Sequence, residues 1–146
     1  MINLVTQRFG LIQRSADDLI TFPSGVFGFE LHRQWLVLDD REHGSLFWLQ
    51  NVEQPDLSLA VVSPREFVPE YSLHVERRQL SSIWRGTEQL VVLSVLTQYE
   101  QRPCLNLRNP IVINPDNRLG RQVVVFDDRP LQYALPEQIL PLQKSA

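Results

Sequence analysis

Short apolar runs, separated every few residues by turn-forming residues, are the feature that most limits the folds open to this chain. Strands are predicted at residues 35–38, 46–50, 57–62 and 88–98, and segments containing Pro, Gly, Asn or Asp lie between them. No helical period before residue 75 is long enough to supply the crossover helix that parallel strands require. The pattern therefore predicts an all-β chain with an antiparallel sheet.

The segment 104–126 shows this strand and turn pattern most clearly. Two β-branched runs, 111–113 and 123–125, are predicted as strands, and the residues between them are rich in Asn, Pro, Asp and Gly. Gly120 is expected to supply a positive φ where the second strand begins. Asn106, Asn109 and Asn114 surround the first strand, where amides either cap turns and strand ends or form part of a recognition surface.

One or two short helices are expected, and the best candidate is the segment 75–84. Leu80, Ile83 and Trp84 lie there at helical spacing and form one apolar stripe. Residues 72–75 are a further strand candidate. The C-terminal segment 130–146 carries apolar residues between prolines, and we expect it to lie across the body as extended chain or a single helical turn.

The segment 22–30, with the sequence FPSGVFGFE, is the second unusual stretch. Its proline and glycines exclude regular secondary structure, whereas Phe27 and Phe29 are too apolar to lie in water without cause. Either both phenylalanines fill the end of the core, or they offer an aromatic contact to a partner. Gly25 and Gly28 do not form a phosphate loop, because no Lys-Ser/Thr pair follows them.

Length and composition exclude several classes of protein. The 146 residues correspond to one ordinary domain, expected to span 1–146. A formal charge of -3 argues against direct nucleic-acid binding, because phosphate neutralisation needs an excess of Lys and Arg. The longest apolar run is too short to cross a bilayer, which argues against a membrane protein. A single cysteine, Cys104, and the absence of an apolar leader are typical of a cytoplasmic protein.

No group of residues indicates catalytic or metal chemistry. His32, His43 and His74 are isolated in the sequence, so we expect no metal and no cofactor. No serine lies in a Gly-x-Ser-x-Gly turn, and no known motif surrounds Cys104. The chain is therefore predicted to be a binding module and not an enzyme.

Four segments, in the same order, resemble motifs of the FliW family of flagellar assembly factors. They are TQRFG at 6–10, ITFPSGVFGFE at 20–30, LFWLQNVEQPDL at 46–57, and NLRNPIVINP at 106–115 followed by GRQVV from Gly120. The resemblance covers nearly the whole chain, and residues 1–130 carry it. Two positions depart from the family pattern: Asn109 stands where alanine is usual, and Leu119 stands where a basic residue is common.

The resemblance implies a cytoplasmic, non-enzymatic, single-domain antiparallel β-barrel with two protein partners. One partner is flagellin, and the other is the translational repressor CsrA, which FliW proteins inactivate so that flagellin mRNA is translated. Because both partners draw on one pool of FliW, accumulating flagellin frees CsrA. An acidic chain also suits an RNA-binding partner with a basic surface. We expect a monomer when free, with no direct contact to nucleic acid or membrane.

Two segments supply the candidate protein-binding residues. They are Phe27, Phe29 and Glu30 in the aromatic loop, and Asn106, Asn109, Pro110, Ile111 and Asn114 in the asparagine-flanked strand. One alternative is a small-ligand-binding β-barrel or an uncharacterised enzyme, in which Trp48, the phenylalanines and the asparagines line a cavity. A second alternative is direct RNA binding through Arg77, Arg78 and Trp84, which predicts steep salt dependence.

Overall fold

A computed structural model describes residues 1–136 of the chain, and in this range strands predominate. The elements are β1 (Ile2–Thr6), β2 (Gly10–Arg14), β3 (Ile20–Thr21), β4 (Gln34–Asp39), β5 (Leu46–Asn51), β6 (Ser58–Val62), α1 (Arg77–Leu80), β7 (Val91–Tyr99), β8 (Arg102–Leu105), β9 (Ile111–Asn114), β10 (Leu119–Gln122) and β11 (Tyr133–Ala134). Two 3-10 turns, Ala16–Asp18 and Pro64–Glu66, complete them. The expected all-β class with short helices is confirmed.

Seven of the strands close into a barrel. The order β7, β6, β5, β4, β3, β10, β9 returns to β7, because residues 91–93 of β7 pair with residues 111–113 of β9. All these neighbours are antiparallel except β3 and β10, which share one parallel pair. Strands β8 and β11 extend the sheet beyond the later part of β7. The barrel-like antiparallel fold implied by the family resemblance is therefore confirmed.

Alternation of side chains along the strands sorts the apolar residues into an interior and an outer layer. The interior cluster draws on six barrel strands and includes Ile20, Trp35, Leu49, Val61, Leu93 and Ile111. The opposite faces of β4, β5 and β6 carry an outer layer that includes Leu36, Leu38, Trp48 and Val62. The hairpin of β1 and β2 covers this outer layer with Leu4, Phe9 and Ile12.

The helix is shorter than its apolar stripe predicts. α1 ends at Leu80, and the expected strand at 72–75 is wrong because no strand pairs there. The stripe nevertheless reaches one cluster, in which Leu80 and Ile83 are buried against β9 and Trp84 packs beside them. Tertiary packing, rather than helix length, therefore holds this segment. No helix in residues 1–136 is long and apolar enough to span a bilayer.

The second strand of the segment 104–126 begins earlier than predicted. β10 ends at Gln122, and the valine run continues past it, with the Val123 and Val125 amides donating to the Pro110 and Arg108 carbonyl oxygens at 3.0 Å each. The positive φ before β10 belongs to Arg118, at 58°, and not to Gly120. Gly120 is needed for another reason, because a Cβ there would lie 2.6 Å from the Phe22 ring.

The C-terminal segment contacts the body as far as it is described. β11 pairs with β8, and the buried Leu135 joins the outer apolar layer. The remainder of the expected tail, 137–146, lies outside the described residues.

Candidate protein-binding site

The aromatic loop, residues 22–30, folds tightly on itself. The Gly25 amide donates to the Phe22 carbonyl oxygen at 2.8 Å, and the Phe29 amide donates to the Val26 carbonyl oxygen at 2.7 Å. Gly25 has a φ of 73°, and a Cβ at this position would collide with the backbone of Glu30. Only glycine combines this backbone conformation with such a close approach. The loop therefore has a fixed backbone conformation.

The two phenylalanines of this loop have different surroundings. Phe29 is half-buried and packs against the interior cluster, whereas the Phe27 side chain is 48% exposed. Leu31, next along the chain, is 83% exposed. The carboxylate of Glu30 is exposed and accepts a hydrogen bond from the Gly28 amide at 3.0 Å. The loop and the residue that follows it thus present two apolar side chains and a carboxylate to solvent.

The asparagines of the asparagine-flanked strand, residues 106–114, serve as internal hydrogen-bond partners. Asn106 Oδ1 accepts from the amides of Arg108 and Asn109, at 3.1 and 2.9 Å. Asn114 is fully buried, and its Nδ2 donates to the Ile83 carbonyl oxygen at 2.8 Å. Pro110 and Ile111, the other candidates here, are buried as well. A partner cannot reach the buried side chains in this conformation, so their role as contact residues stays a prediction.

Gln122 joins the two candidate segments. Its Oε1 accepts from the Phe27 amide at 2.8 Å, and its Nε2 donates to the Asn109 carbonyl oxygen at 3.0 Å. Gln122 is 6% exposed, and its hydrogen bond to Asn109 is buried. The sequence patterns did not indicate this residue as part of the site, and its place in the GRQVV segment was the one available signal. Segments far apart in the chain therefore lie side by side.

A second polar network anchors the helical segment to the barrel. The pKa of Glu88 is lowered to about 2 by hydrogen bonds, of which the largest contribution comes from the backbone amide of Glu88 itself. Hydrogen bonds from Thr87, Asn114 and Arg85 add to the shift, and burial opposes it. Asn114 Nδ2 donates to Glu88 Oε1 at 3.1 Å, and Trp84 Nε1 donates to the Glu88 carbonyl oxygen at 2.8 Å. The network explains why a buried polar residue ends β9.

The residues of the ligand-binding alternative are not brought together around one cavity, and those of the RNA-binding alternative are engaged in contacts of their own. Trp48 lines a groove of about 950 Å³ beside the β1–β2 hairpin, whereas Phe27, Phe29 and the three candidate asparagines lie elsewhere. Among the residues proposed for RNA binding, Arg78 pairs with Glu76 at 3.3 Å. The half-buried Trp84 is held through its ring nitrogen, which limits the stacking surface it offers to a base.

Comparison with known proteins identifies relatives along nearly the whole chain. A family model described as FliW protein matches residues 3–135. The chain is 36% identical over 129 residues to the flagellar assembly factor FliW of Natranaerobius thermophilus, covering 85% of each chain. It is 31% identical over 149 residues to the flagellar assembly factor FliW of Caldanaerobacter subterraneus subsp. tengcongensis, covering 99% of this chain and 97% of that protein.

A solved structure agrees with these sequence matches. The crystal structure of a flagellar assembly factor FliW superposes with a TM-score of 0.84 and 26% identity, covering 94% of this chain and 99% of that one. Family model, relatives and structure thus agree over the barrel, the aromatic loop and the asparagine-flanked strand. The chain therefore belongs to the FliW family.

Proposed function

We propose that this chain is a cytoplasmic flagellar assembly factor that binds flagellin and the translational repressor CsrA, and that it catalyses no reaction. The observation that carries the proposal is the match to FliW proteins over residues 3–135. Binding of CsrA relieves repression of flagellin mRNA, and binding of flagellin withdraws the chain from CsrA. The two equilibria share one pool of protein, so each partner lowers the apparent affinity for the other.

The aromatic loop is the favoured contact surface in this proposal. Phe27 and Leu31 are exposed apolar side chains on a loop whose backbone is already ordered, so binding costs little conformational entropy there. Aromatic side chains of this kind carry a large share of the energy of many interfaces. The carboxylate of Glu30 adds a negative charge that suits a basic partner.

Two of the buried candidates, Asn109 and Ile111, pack beneath this surface. Gln122 ties the Phe27 amide to the loop at Asn109, and Ile111 fills the interior cluster against which Phe29 packs. Asn109 and Ile111 are therefore proposed to position the contact residues, whereas the hydrogen bonds of Asn114 hold the helical segment. Asn106, which is partly exposed, caps the turn that leads into them.

The proposal is tested by measuring binding of the purified chain to purified CsrA and to purified flagellin from the same organism. We expect one complex with each protein, and we expect added flagellin to displace CsrA. A chain with a cooperative unfolding transition that binds neither protein would refute the proposal.

The contact surface is tested with Phe27→Ala and Leu31→Ala. Each is expected to weaken binding by about 2 kcal/mol, roughly thirtyfold in Kd, with little change in Tm, because exposed side chains contribute little to folding. Val91→Ala, at a side chain that is 43% exposed outside this loop, is the matched control and should bind as the wild type does. Equal binding by all three variants would show that the contact surface lies elsewhere on the protein.

A further inference from the structure

A groove of about 950 Å³ lies between the β1–β2 hairpin and the loop that joins β4 to β5. None of the eight candidate binding residues lines it, so it is distinct from the surface formed by the aromatic loop. The hairpin forms one wall and the β4–β5 loop forms the other. The groove is therefore a second concave surface that the contacts proposed above leave unused.

The floor of the groove is apolar and held in place. Leu38, Leu46 and Trp48 reach it from β4 and β5, and each is buried. Phe9 packs edge-on against Trp48, with ring centroids 5.8 Å apart. The guanidinium of Arg8 lies over the same ring, 4.1 Å from its centroid. A floor whose side chains are already fixed offers apolar contact without a further cost of ordering.

Strand β2 borders this floor with an open edge. In residues 1–136 its only strand partner is β1, in a sheet of two strands. Alternate N–H and C=O groups of β2 therefore point away from β1, toward the side where residues 11–14 line the groove. Such an edge pairs readily with another extended chain.

The sequence of β2 does little to protect its edge. Proteins usually shield open edges with proline, with charged side chains or with a covering segment. β2 reads GLIQR, so its one charge is Arg14 at the end, and Leu11 is 62% exposed. Gln13 Nε2 donates to Asn3 Oδ1 at 2.9 Å across the hairpin, and Arg14 Nη1 donates to the Gln13 carbonyl oxygen at 2.9 Å, so side chains engage only the Gln13 end of the strand. Within residues 1–136, the edge at Leu11 and Ile12 is thus available to an incoming strand.

The groove carries an excess of one negative charge, which suits a basic ligand. Four carboxylates and three guanidinium groups line it: Asp39, Asp40, Glu42 and Asp56, and Arg8, Arg14 and Arg41. Arg8 is held over Trp48, and Asp40 accepts from Trp48 Nε1 at 3.0 Å. Asp39 and Asp56 are exposed at opposite ends of the groove, where cationic side chains of a ligand can meet them.

We infer that this groove docks an extended segment of a partner protein, which adds to β2 as a third strand. The segment carries apolar side chains at every second position, facing the floor, and separate Lys or Arg side chains that meet Asp39 at one end of the groove and Asp56 at the other. Main-chain hydrogen bonds to β2 supply affinity, and the floor selects the side chains. The inference rests on the proposed function, because the partner is one of the two proteins named there.

Amide hydrogen exchange of the full chain tests strand addition directly. The chain is labelled with 15N, and exchange is followed by NMR alone and with saturating CsrA or flagellin. With one of these partners, alternate amides of β2 are expected to slow by at least about tenfold, since they gain hydrogen-bond partners. The amides of β6, which is paired on both sides, serve as the internal reference.

A pair of double variants tests the side-chain contacts. Leu11→Arg with Asp39→Lys places bulk and positive charge in the groove, and it should raise the Kd of that partner at least about tenfold with little change in Tm. Val91→Arg with Glu66→Lys makes the same changes of charge at exposed sites outside the groove, and it should bind normally.

The outcomes separate the two proposals. A folded chain that binds neither protein refutes the proposed function. A chain that binds, but shows neither protection of β2 nor sensitivity to the groove variant, overturns only the inference about the groove. A dimer in light scattering that the groove variant dissociates would place a second copy there, and it would also overturn the inference.

Discussion

Single side chains in this protein hold together segments that are distant in the chain. Gln122 links the aromatic loop to the segment at Asn109, and Asn114 links the end of β9 to the turn at Ile83. In both cases a buried amide satisfies backbone groups that no strand partner reaches. Gly120 also brings distant segments together, but it does so because it lacks a side chain and so leaves room for the Phe22 ring.

Substitution of Gly120 by alanine tests that close contact. The added methyl group would lie 2.6 Å from the Phe22 ring, so Gly120→Ala is expected to lower the free energy of unfolding by about 1–3 kcal/mol. Chemical denaturation measures the change. Gly44→Ala is the control, because a Cβ at that site meets no atom within 4 Å. An unchanged midpoint for Gly120→Ala would show that the ring moves aside freely.

The lowered pKa of Glu88 predicts a dependence of stability on pH. Its folded pKa, about 2, lies below the ordinary value of 4.5. The carboxylate therefore contributes stability above pH 4.5, and this contribution is lost as the pH falls from 4.5 toward 2. Glu88→Gln should destabilise the protein at neutral pH, and its difference from the wild type should shrink across that window. Urea unfolding at several pH values measures this difference, and a constant difference would contradict the prediction. Glu66→Gln controls for the loss of an exposed negative charge.

At the scale of elements, short strands depend on the turns that join them. The β7–β8 hairpin turns at Glu100 and Gln101, whose φ values are 52° and 67°. Two-residue hairpin turns with both residues in this region strongly favour Asn-Gly. This chain carries other residues there, which store strain in the turn.

Replacing Gln101 by glycine should relieve part of that strain. Glycine adopts positive φ without steric cost, so Gln101→Gly is expected to raise the free energy of unfolding by about 1 kcal/mol. The same change at Gln98, within β7 and paired with Pro103, should destabilise, because glycine weakens a strand interior. Thermal and urea unfolding distinguish the two. A loss of stability in Gln101→Gly would mean that its side chain makes a compensating contact.

At the scale of the whole molecule, a closed barrel carries a separate two-stranded hairpin. The barrel has no open edge around its ring because β9 pairs back onto β7. The hairpin of β1 and β2 is attached through the packing of Leu4, Phe9 and Ile12 and through a few hydrogen bonds, including the Gln7 amide to the Pro55 carbonyl oxygen at 3.3 Å. Its stability is therefore expected to be partly independent of the barrel.

Native-state hydrogen exchange should reveal this division. In the free chain, amides of β1 and β2 are expected to exchange through local opening at a lower free energy than amides of β5 and β6, which open only with the barrel. Exchange measured at increasing sub-denaturing urea separates local from global opening. Identical opening free energies for both groups would show that hairpin and barrel form one cooperative unit.

The sequence patterns determined the class of the fold and the positions of most barrel strands, because alternating apolar residues and turn formers act locally. The β4–β5 hairpin lies where those patterns predicted it. The resemblance to FliW motifs further predicted the barrel architecture and the family. The tertiary structure decided the rest. It shortened α1, ended β10 at Gln122, buried Ile111 and Asn114, and left Phe27 exposed. Each of these outcomes depends on contacts between residues far apart in the chain, and local patterns carry no information about such contacts.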